Sequence, residues 1–144
     1  STTLGIDMVQ ASAFNIPFKD ASFDLVFTSG LLIHIHPSQI TEVMKEIHRC
    51  TRRYIWGLEY YADEFTQVPY RGHQQLLWKS NYPKLFLEGF HDVELVKEER
   101  LKYLNSNLVD TMYLLEKKSG AAGLTMRSQG GSHWNRHGEC RVKA

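Results

Sequence analysis

An α/β fold with parallel strands at its centre is predicted by three stretches of the chain. Phe23-Asp24-Leu25-Val26-Phe27-Thr28 is short and almost wholly apolar, entered through an acid and left through Thr28-Ser29-Gly30. That is the pattern of a strand buried on both faces of a parallel sheet. Ile40, Val43, Met44 and Ile47 then recur at helical spacing, and Tyr54-Ile55-Trp56-Gly57-Leu58-Glu59 follows as a second apolar run. Strand, helix and strand at this interval form a right-handed crossover unit.

Each element has its own signal. Residues 6–11 alternate as a short strand, with Asp7 and Gln10 as its polar members. After the strand at 23–28, Pro37-Ser38 opens the helix with Ser38 as N-cap, and Thr51-Arg52-Arg53 ends it with cations where the dipole favours them. The strand at 54–59 delivers Glu59, Tyr60 and Tyr61 to the rim that holds Thr28 and Gly30. Residues 62–72 read as a long surface loop, and loops of that length are functional or mobile. Residues 74–87 read as helix, in which Pro83 either breaks the helix or begins a second piece. Residues 90–98 and 108–116 close the sheet as an antiparallel hairpin about Asn105-Ser106-Asn107.

The chain has 144 residues, 42% hydrophobic and 12% aromatic, enough for one domain with a core. A net charge of +1 with interspersed signs offers no footprint for nucleic acid, and no segment has the length to span a bilayer. Two cysteines, Cys50 and Cys140, make no disulfide framework, so a reducing cytoplasm is the default. The domain is expected over 1–118. Residues 119–144 are glycine-rich, without periodicity, and are expected to be a disordered tail. Within that tail His133, His137 and Cys140 have zinc-ligand chemistry but lack a fourth ligand, and no metal is expected.

In open α/β sheets the ligand crevice lies outside the carboxyl ends of the strands, which makes Thr28, Ser29 and Gly30 site candidates. Upstream, Ala11-Ser12-Ala13-Phe14-Asn15-Ile16-Pro17-Phe18 ends in a Pro-Phe turn. Together, ASAFNIPFKDASFDLVFTSGLLIHI resembles the middle of a class I S-adenosylmethionine-dependent methyltransferase of the type 11-like group. Glu59-Tyr60-Tyr61 with Val68-Pro69-Tyr70-Arg71-Gly72-His73 is similar to the methylases associated with pseudaminic acid biosynthesis. The resemblance covers 6–118. It implies a Rossmann-like sheet, S-adenosylmethionine as cofactor, and a sugar or other small-molecule acceptor in bacterial surface-glycan synthesis.

By that resemblance Ser12, Ala13 and Phe14 border the adenine, while Thr28, Ser29, Gly30 and Leu31 lie beside the methionine moiety. The family's cofactor site begins with a glycine-rich turn and a ribose-binding acid, and neither is recognisable here. The N-terminal strands of the fold are therefore expected to be missing, with Gly5-Ile6-Asp7 imitating a second-strand ending and Asp7 its acid. A non-catalytic remnant that binds no cofactor alone is the alternative to an enzyme.

Methyl transfer is an in-line displacement in which the cofactor carries the leaving group, so the protein mainly aligns the nucleophile. A hydroxyl acceptor benefits from a base, and His34 follows the central strand; the other reading is a histidine bonded to local backbone. His36, before Pro37, is expected to be extended and exposed. Tyr60, Tyr61, Tyr70, Arg71 and His73 are the acceptor-site candidates. Arg71 either pairs with an acidic sugar's carboxylate or phosphate, or joins Glu59 or Asp63 to pin its loop. Phe14 either covers the adenine or belongs to the core. Cys50 reads as a buried structural thiol.

Overall fold

A computed structural model of the chain describes Gly5 and residues 7–119. The tail from Gly120 onward, with the His133-His137-Cys140 string, lies outside the described residues. Strands β1 (Phe23–Ser29) and β2 (Thr51–Tyr60) are joined by helix α1 (Ile40–Cys50), and the short strands β3 (Thr66–Gln67) and β4 (Trp78–Lys79) follow. Helix α2 (Tyr82–Gly89) leads into β5 (Val93–Lys102) and β6 (Val109–Lys117). The main sheet is four-stranded in the order β1-β2-β6-β5. β1 and β2 are parallel, whereas β6 runs antiparallel to both β2 and β5. The strand-helix-strand unit and the closing hairpin are thus where the sequence places them.

The core lies on one face of this sheet. Val43, Met44 and Ile47 of α1 and Tyr82 and Phe86 of α2 close over Ile55, Tyr113 and Leu115. Burying each such side chain contributes about 1.5–3 kcal/mol. Gly57 has a specific duty here, because the Tyr113 ring lies against its α-carbon and occupies the space a Cβ would need. The sheet's second face carries Phe27 against Trp56, ring centroids 5.8 Å apart, and both residues are only partly buried. β1 buries Phe23, Leu25 and Thr28 and leaves Asp24, Val26 and Phe27 half-buried.

Helix α1 buries the predicted face, Ile40, Val43, Met44 and Ile47, and adds Cys50. Its ends differ from expectation. Gln39 takes the N-cap position without a side-chain bond, because the Ser38 hydroxyl lies 2.7 Å from His36 Nδ1 instead. Arg52 and Arg53 belong to β2, where they pair with Asp24 and Glu116 across the sheet. The helix C-terminus is satisfied from the opposite end of the chain, as Lys117 Nζ donates to the carbonyls of His48 at 2.9 Å and Thr51 at 3.0 Å.

Residues 7–11 form no strand: although β1 is the outer member of the described sheet, none of them pairs with it. The predicted helix at 74–87 is also corrected. Its first part enters β4, and only Tyr82–Gly89 is helical, with Pro83 near the start and Asn81 capping Lys84 N–H at 3.2 Å. The long loop is correspondingly an ordered excursion built on the β3–β4 pair.

Gly57→Ala should lower stability by about 1–3 kcal/mol through overpacking against Tyr113. Tyr113→Leu should recover part of that loss in the double variant, so chemical denaturation of the two single variants and their combination should show costs that do not add.

Candidate functional site

The carboxyl ends of β1 and β2 meet at a turn that the chain makes in three residues. Gly30, with φ of +61°, reverses direction and donates its N–H to the Leu58 carbonyl at 3.0 Å. A single 3-10 turn, Leu32–His34, follows. Glu59, 1% exposed, receives Leu31 N–H on Oε1 at 3.2 Å and Ile33 N–H on Oε2 at 3.4 Å. The Thr28 hydroxyl also bonds this carboxyl group, whose burial nevertheless pushes its pKa up.

Beside this turn lies a small pocket of about 160 Å³, lined by Ser29, Gly30, Ile33, Leu58, Glu59, Tyr60, Tyr103 and Asp110. Tyr103 donates to Asp110 Oδ2 at 2.8 Å, and that acceptor, with burial, pushes its phenol up to about 12. The Tyr60 ring meets Tyr103 edge-on at 6.2 Å. The next residue, Leu31, belongs to a second cleft, of about 370 Å³, bounded also by Asp7, Val9, Ala11, Ser12, Ala13, Ile16, Pro17 and Phe18.

The cleft's outer wall is held by two side chains of α1. Glu46 Oε2 accepts Ile16 N–H at 2.7 Å, while Arg49 donates to the carbonyls of Ile16 at 2.9 Å and Phe18 at 2.7 Å. The same guanidinium bonds Glu46 through two nitrogens and reaches Asp20 at 3.0 Å. This fork satisfies the turn's backbone without regular secondary structure. Arg49 holds the Glu46 carboxyl down at about 2, aided by the Ile16 N–H.

The predicted cofactor residues separate into groups. Ser12, Ala13 and Leu31 line the cleft, and Ser29 and Gly30 line the small pocket. Thr28 is buried beneath the turn, 6% exposed, and lines neither cavity. Phe14 is 38% exposed, so it is not core, and it does not line the cleft. The tight turn from Ser12 to Asn15 projects it outward: Asn15 N–H bonds the Ser12 carbonyl at 3.1 Å and Phe14 N–H bonds Ser12 Oγ at 3.2 Å.

The acceptor candidates also divide. Tyr70 and His73 exchange both backbone bonds at 2.9 Å around Arg71-Gly72, with φ of +49° and +77°, which is a type I′ hairpin turn. His34 Nδ1 lies 2.9 Å from the Leu76 carbonyl, and its ring meets Tyr70 edge-on at 5.7 Å. The Arg71 guanidinium lies 5.2 Å from the Tyr70 ring centroid, so Tyr70 touches both His34 and Arg71. Arg71 pairs with neither Glu59 nor Asp63; Glu59 is enclosed under the turn, and Asp63 accepts from the Tyr61 hydroxyl. Tyr61 lies under Arg100, 3.2 Å from guanidinium carbon to ring centroid.

Tyr103 and Asp110 were not singled out from sequence. Their signal is positional: counting outward from the turn at 105–107 brings the two hairpin strands level there, as the Leu101 to Asp110 pairing shows. His36 is exposed, as expected, with its ring edge-on to Trp78. Among the described residues no group of three potential ligands can hold a metal, and no helix is long and apolar enough to cross a membrane.

Residues 1–54 match the family model for a methyltransferase domain. No curated protein sequence matches the chain significantly. Among solved structures it is similar to a Burkholderia thailandensis 1,6-didemethyltoxoflavin-N1-methyltransferase, solved with 1,6-didemethyltoxoflavin and S-adenosylhomocysteine bound. The identity is 18% and the TM-score 0.63, over 77% of this chain and 50% of that one. A SAM-dependent methyltransferase from Methanosarcina mazei is 14% identical with a TM-score of 0.57, over 75% and 65% of the two chains. The cyclase SpnF is 13% identical with a TM-score of 0.57, over 79% and 57%. The chain thus spans about half to two thirds of the length of these structures. Its fold is part of the Rossmann-like class I methyltransferase sheet.

Arg49→Ala should free the Ile16–Phe18 backbone, and faster hydrogen exchange at Ile16 with unchanged protection in β6 would show it. Glu46 has a depressed pKa in the folded state, so its stabilisation is complete above the ordinary carboxylate range and is lost as pH falls towards about 2. Acid denaturation of Glu46→Gln should therefore lack that part of the wild-type pH dependence.

Proposed function

We propose that the chain serves S-adenosylmethionine-dependent methyl transfer to a small-molecule acceptor of the sugar type, in the synthesis of pseudaminic acid-like surface glycans. One observation carries this reading: the adjacent residues Gly30 and Leu31 line two different cavities at the carboxyl end of a parallel strand, within the segment matched by the methyltransferase domain. The residues of the larger cleft fit the adenine end of the cofactor. Ala13, Pro17 and Leu31 present apolar walls to a flat ring, and Ser12 Oγ, although it accepts Phe14 N–H, retains a hydrogen to donate. Asp7 lines the same cleft and supplies a carboxylate of the kind that holds ribose hydroxyls.

When bound, the cofactor supplies a sulfonium methyl group and a neutral thioether as leaving group. The chain's own part is to align and deprotonate the acceptor. A carbonyl oxygen only accepts, so the contact with Leu76 fixes the proton of neutral His34 on Nδ1 and leaves Nε2 as the base. Nε2 would take the acceptor hydroxyl's proton as the oxygen attacks. Tyr70 offers a ring face to the apolar side of a sugar, and the neighbouring Arg71 offers a planar fork to its carboxylate or phosphate. Tyr60 joins the small pocket on the acceptor side, Tyr61 braces its rim beside Arg100, and the His73 backbone closes the hairpin that presents Arg71.

Calorimetric titration with S-adenosylhomocysteine tests the cofactor half of this reading. Leu31→Trp fills the cleft and should abolish binding without lowering Tm; absence of binding by the wild-type chain would favour the non-catalytic alternative. Methyl transfer to acidic sugars tests the other half. Arg71→Lys should raise acceptor KM with cofactor affinity unchanged. His34→Ala should lower kcat by about 100-fold or more at similar KM. An Arg71→Lys effect on S-adenosylhomocysteine affinity instead would make the hairpin a cofactor lid.

A further inference from the structure

We propose that Glu59 is the positioning residue of this site: its carboxylate clamps the turn after β1, and protonation there loosens the turn and weakens ligand binding. The inference rests on the reading above for the identity of the ligand, but not for the clamp. Glu59 belongs to β2 and reaches the backbone of another element, with one oxygen on Leu31 N–H and the other on Ile33 N–H. Leu31 is a wall of the larger cleft, while Gly30 and Glu59 itself line the smaller pocket. The side chain therefore holds a turn whose residues line both cavities. His34, the next residue of the turn, is carried by the same backbone.

The groups facing this carboxyl explain why its charge matters. Thr28 approaches from β1, Tyr113 from β6 and Tyr82 from α2, with the Tyr82 hydroxyl given to the Trp78 carbonyl at 3.0 Å. Across the small pocket stand Tyr60, Tyr103 and Asp110. Among the described residues no lysine or arginine forms an ion pair with Glu59. A carboxylate so enclosed is costly, and it is offset here by hydrogen bonds from the turn rather than by a cation. Adding a proton removes the charge and turns one oxygen into a donor, which weakens the bonds that the carboxyl group accepts from the turn. Burial pushes that event up from the ordinary glutamate range, against the hydrogen bonds from Thr28 and the turn that favour the charged form.

The test is a pH titration of the full chain followed by amide NMR. Leu31 and Ile33 amide shifts should move together with one midpoint above the ordinary glutamate value of about 4.3. Glu59→Gln should abolish that titration and raise hydrogen exchange at both amides, whereas Glu59→Asp should retain a titration. Losing one hydrogen bond to a charged group should weaken S-adenosylhomocysteine about 10-fold at neutral pH. Stability should not fall in parallel. The folded pKa of Glu59 is raised, so its ionised form costs stability as pH rises through that value, and Glu59→Gln should have an equal or higher Tm at pH 7.

A wild-type titration that vanishes in Asp110→Asn rather than Glu59→Gln would overturn the proposal. So would full ligand affinity in Glu59→Gln. If neither protein binds S-adenosylhomocysteine while the amides still follow Glu59, the clamp stands and the cofactor reading falls.

Discussion

The contact on which this sheet depends is the Tyr113 ring lying on the bare α-carbon of Gly57. A ring of that size between neighbouring strands is tolerated only because β2 has no side chain there. Its position lets the ring reach Phe86 of α2, centroids 6.3 Å apart, and carries its hydroxyl beneath Thr28 and Glu59. One aromatic side chain thus spans the helix layer, the centre of the sheet and the floor of the candidate site. Burial and the adjacent carboxyl push its phenol well up, so it remains a neutral part of the structure.

The strands and the first helix were legible because apolar periodicity reports burial directly. Phe23–Ser29, Ile40–Cys50 and Val109–Lys117 carry that signal in consecutive residues, whereas Val93–Lys102 is mostly exposed. What could not be read was decided by partners distant in sequence. Residues 74–80 have helix-compatible side chains, yet Trp78 and Lys79 pair with β3 across the turn at Arg71-Gly72, and that pairing wins. Residues 7–11 alternate as a strand should, but alternation supplies no neighbouring ladder.

The candidate site was legible by neighbourhood more than by contact. The strand-end rule brings Gly30 and Leu31 to cavity walls with Glu59 enclosed beneath their turn, and the Pro-Phe turn lies at a cleft. It does not say that Thr28 turns inward or that Phe14 turns outward, because the first bonds Glu59 of a different strand and the second follows a tight turn closed by the Ser12 hydroxyl. Nor does it reveal the Glu46-Arg49 fork, since on a helical wheel both residues read as ordinary solvent-facing charges.

The place of β6 has a consequence for how the molecule assembles. It is the last described strand in the chain, yet it lies between β2 and β5. The β5–β6 hairpin can form from local contacts, whereas the β1–α1–β2 unit made earlier must wait with one edge of β2 open. Docking of the hairpin seals that edge and brings Lys117 onto the end of α1 in the same step. During synthesis the N-terminal unit therefore presents an unpaired apolar strand until the chain has emerged past residue 117, which is the interval in which it depends most on protection from aggregation.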